Sequence, residues 1–224
     1  MKKIISIFMV SFLFAGFPDY YYKLPIKKQK QEFKRILLPM VKKENDKILN
    51  ERAKVIQIFN NPFFIMNQND ILFLSKLAKK YKIKSIYNKD EFLKKIDKIP
   101  ENLVLAQGAI ESAWGRSYFV KEANNIFGQW TYSKTGIIPR QRDENATHRI
   151  RVFKTLEDSL AVYMRNLNRN NAYKEFRDLR AKYRQENKKF DGIVAATTLE
   201  KYSQLGQKYV KIIQTMVKQF RQEK

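Results

Sequence analysis

Apolar residues recur three or four positions apart along most of this 224-residue chain, which is the spacing of one face of an α-helix. One stretch departs from this spacing. Between residues 147 and 153, Ile150 and Val152 alternate with Arg149 and Arg151, as in a half-buried strand. The pattern therefore predicts an α+β fold that is mainly helical and contains one small β-hairpin.

The predicted helices are bounded by proline, glycine or capping residues. They cover about 33–59, 69–78, 90–96, 100–114, 155–167, 173–186, 193–205 and 209–220. We expect Pro39 to kink or break the first helix, a loose tether to precede it, and Gly115 to close the fourth. The hairpin is expected to pair 136–139 with 147–153 through a turn that contains Asp143 and Glu144.

The charge of the chain is unusual. Its 45 Lys and Arg residues outnumber its 22 Asp and Glu residues and give a net charge of +23. Such an excess suits a polyanionic partner, namely nucleic acid, anionic lipid or an acidic cell-wall polymer, or else it is compositional background. The chain has no cysteine, which excludes disulfides, thiolate metal sites and a thiol nucleophile. With His148 as its single histidine, we expect no metal site and no cofactor.

The N-terminus has the pattern of an export signal. Lys2 and Lys3 precede an apolar run from Ile4 to Phe17, which is too short to span a bilayer comfortably. Ala15 and Gly16 are the small residues at which we expect cleavage, and an uncleaved membrane anchor is the alternative. The sequence therefore predicts a periplasmic or envelope location, which argues against nucleic acid as the partner.

Two dense motifs carry a resemblance to a known family. The first is A-Q-G-A-I-E-S-A-W-G-R-S at 106–117, and the second is N-N-I-F-G at 124–128. Together they resemble the glucosaminidase pattern of glycoside hydrolase family 73. Further matches are similar to the Bax-type subgroup of that family: Gln129-Trp130, Tyr163, Asn166-Leu167-Asn168, Ala172-Tyr173 and Tyr202-Ser203.

This resemblance implies a domain organisation and an activity. Residues 99–224 would form a lysozyme-like catalytic domain, preceded by a signal peptide or anchor over 1–17 and a Lys-rich helical extension over 18–98. The implied reaction is hydrolysis of the β-1,4 bond after N-acetylglucosamine in peptidoglycan, whose glycan strands would be the partner. Glu111 matches the catalytic acid of the family.

The residues around Glu111 fit an acid that must keep its proton near neutral pH. A partly apolar pocket raises the pKa of a glutamate, as in lysozyme, where a tryptophan forms the wall. Trp114 follows Glu111 by about one helical turn and could supply such a wall. Gly108 and Gly115 lie on the same predicted face and indicate either open space around the carboxylate or close helix packing.

The second catalytic group has two interpretations. The family places a second carboxylate in the hairpin, where Glu144 is our choice and Asp143 is its neighbour, although both residue types also favour turns. Alternatively, the 2-acetamido group of the substrate itself attacks. Tyr202 matches a tyrosine near the active site and is expected to orient that group or the water, unless its ring only packs in the core.

Six residues are predicted to bind the glycan, because amides suit N-acetyl groups and aromatic faces suit sugar rings. They are Trp114, Asn124, Asn125, Phe127, Gln129 and Trp130. Asn124 and Asn125 could instead form a structural turn, and Phe127 could belong to the core.

Two other functions are compatible with the sequence. A lytic transglycosylase of the same fold would also use one glutamate but would form a 1,6-anhydro end. A non-catalytic, cationic wall-binding protein would use the groove and the +23 charge for binding alone. Peripheral or N-terminal membrane association is compatible with all three functions.

Overall fold

Ten α-helices and one two-stranded antiparallel sheet surround a common hydrophobic core in the computed structural model, which describes residues 16–61, 66–139 and 147–222. The first five helices are α1 Asp19–Lys23, α2 Ile26–Phe59, α3 Gln68–Tyr81, α4 Lys89–Lys95 and α5 Glu101–Glu111. The remaining five are α6 Tyr118–Ala123, α7 Leu156–Arg169, α8 Lys174–Gln185, α9 Gly192–Ala196 and α10 Gln207–Gln222. The predicted mainly helical α+β fold is confirmed.

The long helix α2 continues through Pro39 without interruption, so the predicted break is wrong. Its apolar side chains keep helical spacing on both sides of the proline, and Phe33, Leu37, Val41 and Ile48 are all buried in the core. A proline inside a helix costs ~3 kcal/mol through the lost hydrogen bond and the ring clash. Burial of this apolar stripe on both sides of the proline offsets that cost.

The residues before α2 pack on the domain, so the predicted loose tether is also wrong. Phe17 and Tyr21 are 1% and 0% exposed, and their rings stack with centroids 4.3 Å apart. The Tyr21 hydroxyl donates a hydrogen bond of 2.6 Å to the carbonyl of Trp114. The backbone N–H of Gly16 donates to Oδ1 of Asn124 at 2.6 Å. Gly16 and Phe17 are thus fixed beside the end of α5, while residues 1–15 of the predicted signal segment lie outside the described residues.

The central helix α5 is surrounded by α2, α9 and α10. Its residues from Leu103 to Ala109 are all buried. The two ends of α5 are partly exposed, Glu101 and Asn102 at its start and Ile110 and Glu111 at its end.

A buried ionic cluster joins the segment before α5 to helices on both sides. Asp97 is 2% exposed and accepts hydrogen bonds from both Nε and an Nη of Arg184. Burial opposes ionisation of Asp97, but Arg184, Arg180 and Arg52 together hold its pKa below the ordinary value. Arg180 and Arg184 also line a cavity of about 540 Å³ at the N-terminal end of α5, away from Glu111.

The sheet pairs strand β1, Trp130–Thr131, with strand β2, Arg149–Ile150. The second strand lies within its predicted range, but the first lies earlier than 136–139. Within residues 136–139, where the sequence predicts the first strand, Ile137 forms a single antiparallel bridge to Ile150.

The helices after the sheet begin largely as predicted. Thr155 and Asp158 form the expected capping box at α7, with reciprocal bonds of 3.1 Å. The predicted helix over 193–205 is too long, because α9 ends at Ala196. There the hydroxyls of Thr197 and Thr198 donate back to backbone carbonyls, an alternative that competes with helix continuation. In the ranges 16–61, 66–139 and 147–222, no helix is long and apolar enough to span a membrane.

Candidate active site

Glu111 is the last residue of α5, and the chain reverses direction directly after it. Ala113 and Trp114 have left-handed φ angles of 49° and 56°. The Trp114 N–H donates to the Ala109 carbonyl at 2.7 Å, and the Ala113 N–H donates to the Ile110 carbonyl at 3.3 Å. These two bonds are those of a Schellman motif. The predicted continuation of the helix to Trp114 is therefore wrong.

A buried serine holds this reversal in place. The Ser112 hydroxyl donates to the Gly108 carbonyl at 2.6 Å and accepts from the Gly115 N–H at 2.7 Å. Gly115 has a φ of 74°, and a Cβ at this position would overlap the ring of Phe17. The turn and the N-terminal segment together fix the backbone that carries Glu111.

The Glu111 carboxyl group lies in a partly buried setting. Its Oε1 accepts a hydrogen bond of 2.8 Å from the Tyr209 hydroxyl on α10. Burial raises the pKa of Glu111 above its ordinary value, and the bond from Tyr209 offsets part of that effect. Glu111 therefore keeps its proton to a higher pH than an exposed glutamate does.

Four tyrosines interact with Glu111: Tyr163, Tyr173, Tyr202 and Tyr209. The rings of Tyr202 and Tyr209 stack with centroids 5.2 Å apart, and the Tyr173 ring lies 6.3 Å from that of Tyr202. Burial and, next, the Glu111 carboxylate raise the pKa of Tyr173 to about 12 and also raise that of Tyr202. These hydroxyls therefore stay protonated and able to donate.

Trp114 lies elsewhere than the helical spacing predicts. Because the chain reverses, its ring packs against Phe33 and Phe220, with centroids 5.4 and 5.5 Å away. The Lys30 ammonium group lies 4.9 Å from the ring centroid. The groups found beside Glu111 are the tyrosines, and a contact between Trp114 and substrate stays a prediction.

Gly108 serves close packing and not an open cleft. A Cβ at this position would lie 3.3 Å from Ile126, 3.6 Å from Phe127 and 3.6 Å from Phe33. Of the two interpretations of this glycine, the structure supports helix packing, and the expectation of open space beside Glu111 is wrong.

Asn124 lies at the end of α6 with a φ of 53°. It is 3% exposed, and its Nδ2 donates to the carbonyls of Phe153 and Lys154 at 3.1 Å each. Its Oδ1 also accepts the bond from Gly16, so both polar atoms of the Asn124 side-chain amide are hydrogen-bonded within the protein. The arrangement matches the structural-turn interpretation.

Asn125 is engaged in the same way. Its Nδ2 donates to the carbonyls of Gln129 and Arg151 at 2.8 and 2.9 Å, and its Oδ1 accepts from the Gln129 N–H at 2.8 Å. This side chain ties the loop before β1 to the segment after β2. A direct role of either asparagine in glycan binding remains a prediction.

The other predicted binding residues differ in exposure. Phe127 is buried and stacks on Tyr163 at 3.8 Å, and Gln129 donates to the Ser159 carbonyl at 2.8 Å. Trp130 is 60% exposed, and its ring stacks on His148 at 3.8 Å with an angle of 7° between the planes. Trp130 thus carries a supported aromatic face on the small sheet.

Comparison with known proteins defines the family. The glucosaminidase family model, described as mannosyl-glycoprotein endo-beta-N-acetylglucosaminidase, matches residues 89–222. The chain belongs to the glucosaminidase family. Protein bax of Escherichia coli (strain K12) is 28% identical over 193 residues, which cover 81% of this chain and 66% of that protein. No solved structure matches the chain.

Residues 89–222 thus form a domain of the glucosaminidase family, which is a family of glycoside hydrolases, and the chain spans about two thirds of the length of Protein bax. The structure stacks Tyr202 on Tyr209, which is hydrogen-bonded to Glu111, whereas Asp143 and Glu144 lie outside the described residues. In the part of the chain that the structure describes, no cluster of three or more His, Cys, Asp or Glu residues could hold a metal ion.

Two residues that the sequence does not single out are linked to Glu111 by hydrogen bonds, Tyr209 and Gln107. Helical spacing predicts that Tyr209 lies on the core face of the last helix, and in the structure its hydroxyl donates to Glu111. Gln107 belongs to the first motif, and its position four residues before Glu111 places both side chains on one helix face. Each residue places a polar group on an otherwise apolar helix face, and this is the sequence feature that could have indicated a role for it.

Proposed function

We propose that the protein is a peptidoglycan hydrolase that cleaves the β-1,4 bond after N-acetylglucosamine, with Glu111 as the general acid. The observation that carries this proposal is the setting of Glu111. It is a partly buried carboxyl group at a helix end, surrounded by tyrosines, with a pKa raised by burial. Glycoside hydrolysis needs such a group to protonate the leaving oxygen.

Tyr202 has the second role in this proposal. Its hydroxyl stays protonated beside Glu111 and is suited to orient the 2-acetamido group of the substrate or the attacking water. The exposed face of Trp130 would support a sugar ring, since aromatic faces pack against the apolar faces of sugars.

Substitution of Glu144 and of Asp143 tests which group acts as the second catalytic group, opposite Glu111. If Glu144 is the second carboxylate, Glu144→Gln abolishes hydrolysis and Asp143→Asn does not, and the reverse pattern assigns Asp143. Full activity in both variants would assign the role to the substrate acetamido group.

A peptidoglycan substrate requires that the enzyme reach the cell wall. The Lys-rich start and the apolar run from Ile4 to Phe17 support export to the periplasm or envelope. The net charge of +23 supports attraction to a wall that carries carboxylate and phosphate groups. An uncleaved N-terminal segment would add membrane association.

The test is a digest of purified peptidoglycan sacculi, followed by reduction and mass spectrometry of the soluble products. Wild type should release fragments with N-acetylglucosamine at the reducing end. Glu111→Gln keeps the size of the side chain but cannot deliver a proton, so it should lower the rate at least ~100-fold. Glu122→Gln on the exposed face of α6 is the matched control and should retain full activity.

Each other product pattern identifies a different function. Fragments with 1,6-anhydro ends that disappear in Glu111→Gln would identify a lytic transglycosylase. Sacculus binding without release of any fragment, equal in wild type and Glu111→Gln, would identify a wall-binding protein.

A further inference from the structure

A chain of three hydrogen bonds leads to Glu111 from the core. The Tyr163 hydroxyl on α7 donates to Oε1 of Gln107, and Nε2 of Gln107 donates to the Tyr209 hydroxyl at 3.0 Å. Tyr209 then donates to Oε1 of Glu111 at 2.8 Å. Gln107 is 0% exposed, and Tyr163 and Tyr209 are 4% and 3% exposed. Water therefore does not compete for the two bonds of Gln107, which are buried.

The direction of this chain is set at its buried end. The amide of Gln107 offers an acceptor on one side and donors on the other, and a tyrosine hydroxyl has one hydrogen. In the part of the chain that the structure describes, Gln107 is the hydrogen-bond partner of the Tyr163 hydroxyl. A flipped amide would leave the Tyr163 hydrogen without an acceptor, which costs more than an unused lone pair. Tyr163 therefore donates, and Oε1 of Gln107 faces it.

This orientation fixes the next proton. Because Nε2 of Gln107 already donates to the Tyr209 oxygen, the single Tyr209 hydrogen points to Glu111. Oε1 of Glu111 then accepts this bond, and because a carbonyl oxygen is a better acceptor than a hydroxyl oxygen, the proton of the neutral carboxyl group is favoured on Oε2.

We propose that Gln107 is a positioning residue that, through Tyr209, holds Oε1 of Glu111 as an acceptor and so confines the transferable proton to Oε2. This inference rests on the proposed function of Glu111. In the first step, the bond between Oε2 and its proton breaks, and the proton joins the glycosidic oxygen as that oxygen leaves the anomeric carbon. The carboxylate that remains on Glu111 keeps the bond from Tyr209. Water then adds its oxygen to the anomeric carbon, and one water proton returns to Oε2.

Three variants test the chain: Tyr209→Phe, Gln107→Leu and, as the matched control, Tyr81→Phe. Tyr81 is also buried, and its hydroxyl donates to Glu51 at 2.7 Å, so its substitution removes a similar tyrosine–glutamate bond in a different part of the core. Circular dichroism and melting temperature establish that each variant is folded.

We expect Tyr209→Phe to lower kcat about tenfold, equivalent to ~1.4 kcal/mol, since the carboxylate formed in the first step loses its donor. The basic limb of the pH profile of kcat/KM should move to higher pH, because loss of this donor raises the pKa of Glu111 further. Gln107→Leu should lower kcat several-fold and move the basic limb in the same direction, because Tyr209 is then free to turn. Tyr81→Phe should leave the profile unchanged.

A folded Tyr209→Phe or Gln107→Leu variant with the wild-type kcat and pH profile would overturn the inference. If Glu111→Gln is inactive in that case, the proposed function stands and only the chain of bonds fails. If Glu111→Gln is active, the proposed function itself fails. For a variant that does not fold, neutron diffraction of the wild type decides: deuterium on Tyr209 directed at Glu111 supports the inference, and deuterium directed at Gln107 overturns it.

Discussion

Removal of the Phe17 side chain should destabilise the whole domain, although this residue lies within the segment that the sequence assigns to export. The ring is 1% exposed, stacks on Tyr21 and Phe33 with centroids 4.3 and 5.5 Å away, and covers Gly115. Loss of a buried phenylalanine side chain costs about 3–5 kcal/mol. A domain of this size loses roughly 2–4 °C of melting temperature per kcal/mol, so Phe17→Ala should melt roughly 12 °C lower.

The assay is thermal unfolding followed by circular dichroism, with the full chain in each sample. Tyr87→Ala is the control, because Tyr87 is 70% exposed and loss of an exposed ring changes stability by less than about 0.5 kcal/mol. Equal melting temperatures for Phe17→Ala and wild type would refute the conclusion that the N-terminal segment is part of the core.

Three further predictions concern packing, capping and substrate contact. Gly108→Leu should lower stability by about 1–3 kcal/mol in a thermal melt, because it inserts atoms into the contact with Ile126 and Phe127, and an unchanged melt would contradict that packing. Thr155→Ala should cost ~1 kcal/mol through loss of the α7 capping box, and Thr155→Ser should restore most of it. Trp130→Ala should raise KM for glycan about fivefold, the effect of ~1 kcal/mol, and an unchanged KM would remove Trp130 from the binding surface.

The helical part of the fold could be predicted because each long helix has an apolar stripe that reaches the core. The predictions failed where local hydrogen bonds overrode this periodicity. After Glu111, Ala113 occupies the left-handed position that glycine usually marks, so the sequence points to Gly115 as the end instead. After Ala196, the threonine hydroxyls bond back to the helix.

The candidate site could be predicted only where a motif marks it. Glu111 and Tyr202 belong to family motifs, so the sequence alone predicts them as site residues. The bonds from Tyr209 to Glu111 and from Gln107 to Tyr209 join residues 98 and 102 positions apart. Helical spacing tells which face of α10 is apolar, but not that this face meets the end of α5. Such contacts become visible only when the helices are packed together.

The titration of Glu111 tests the central claim most directly. The side-chain carboxyl carbons of glutamate are labelled with ¹³C, and their NMR shifts are followed with pH in wild type and in Glu111→Gln, which assigns the resonance. We expect the Glu111 resonance to titrate above ~4.3, the ordinary glutamate value, because burial disfavours the charged form. A midpoint at or below that value would mean that Glu111 is ionised like a surface residue, and would contradict its role as the acid.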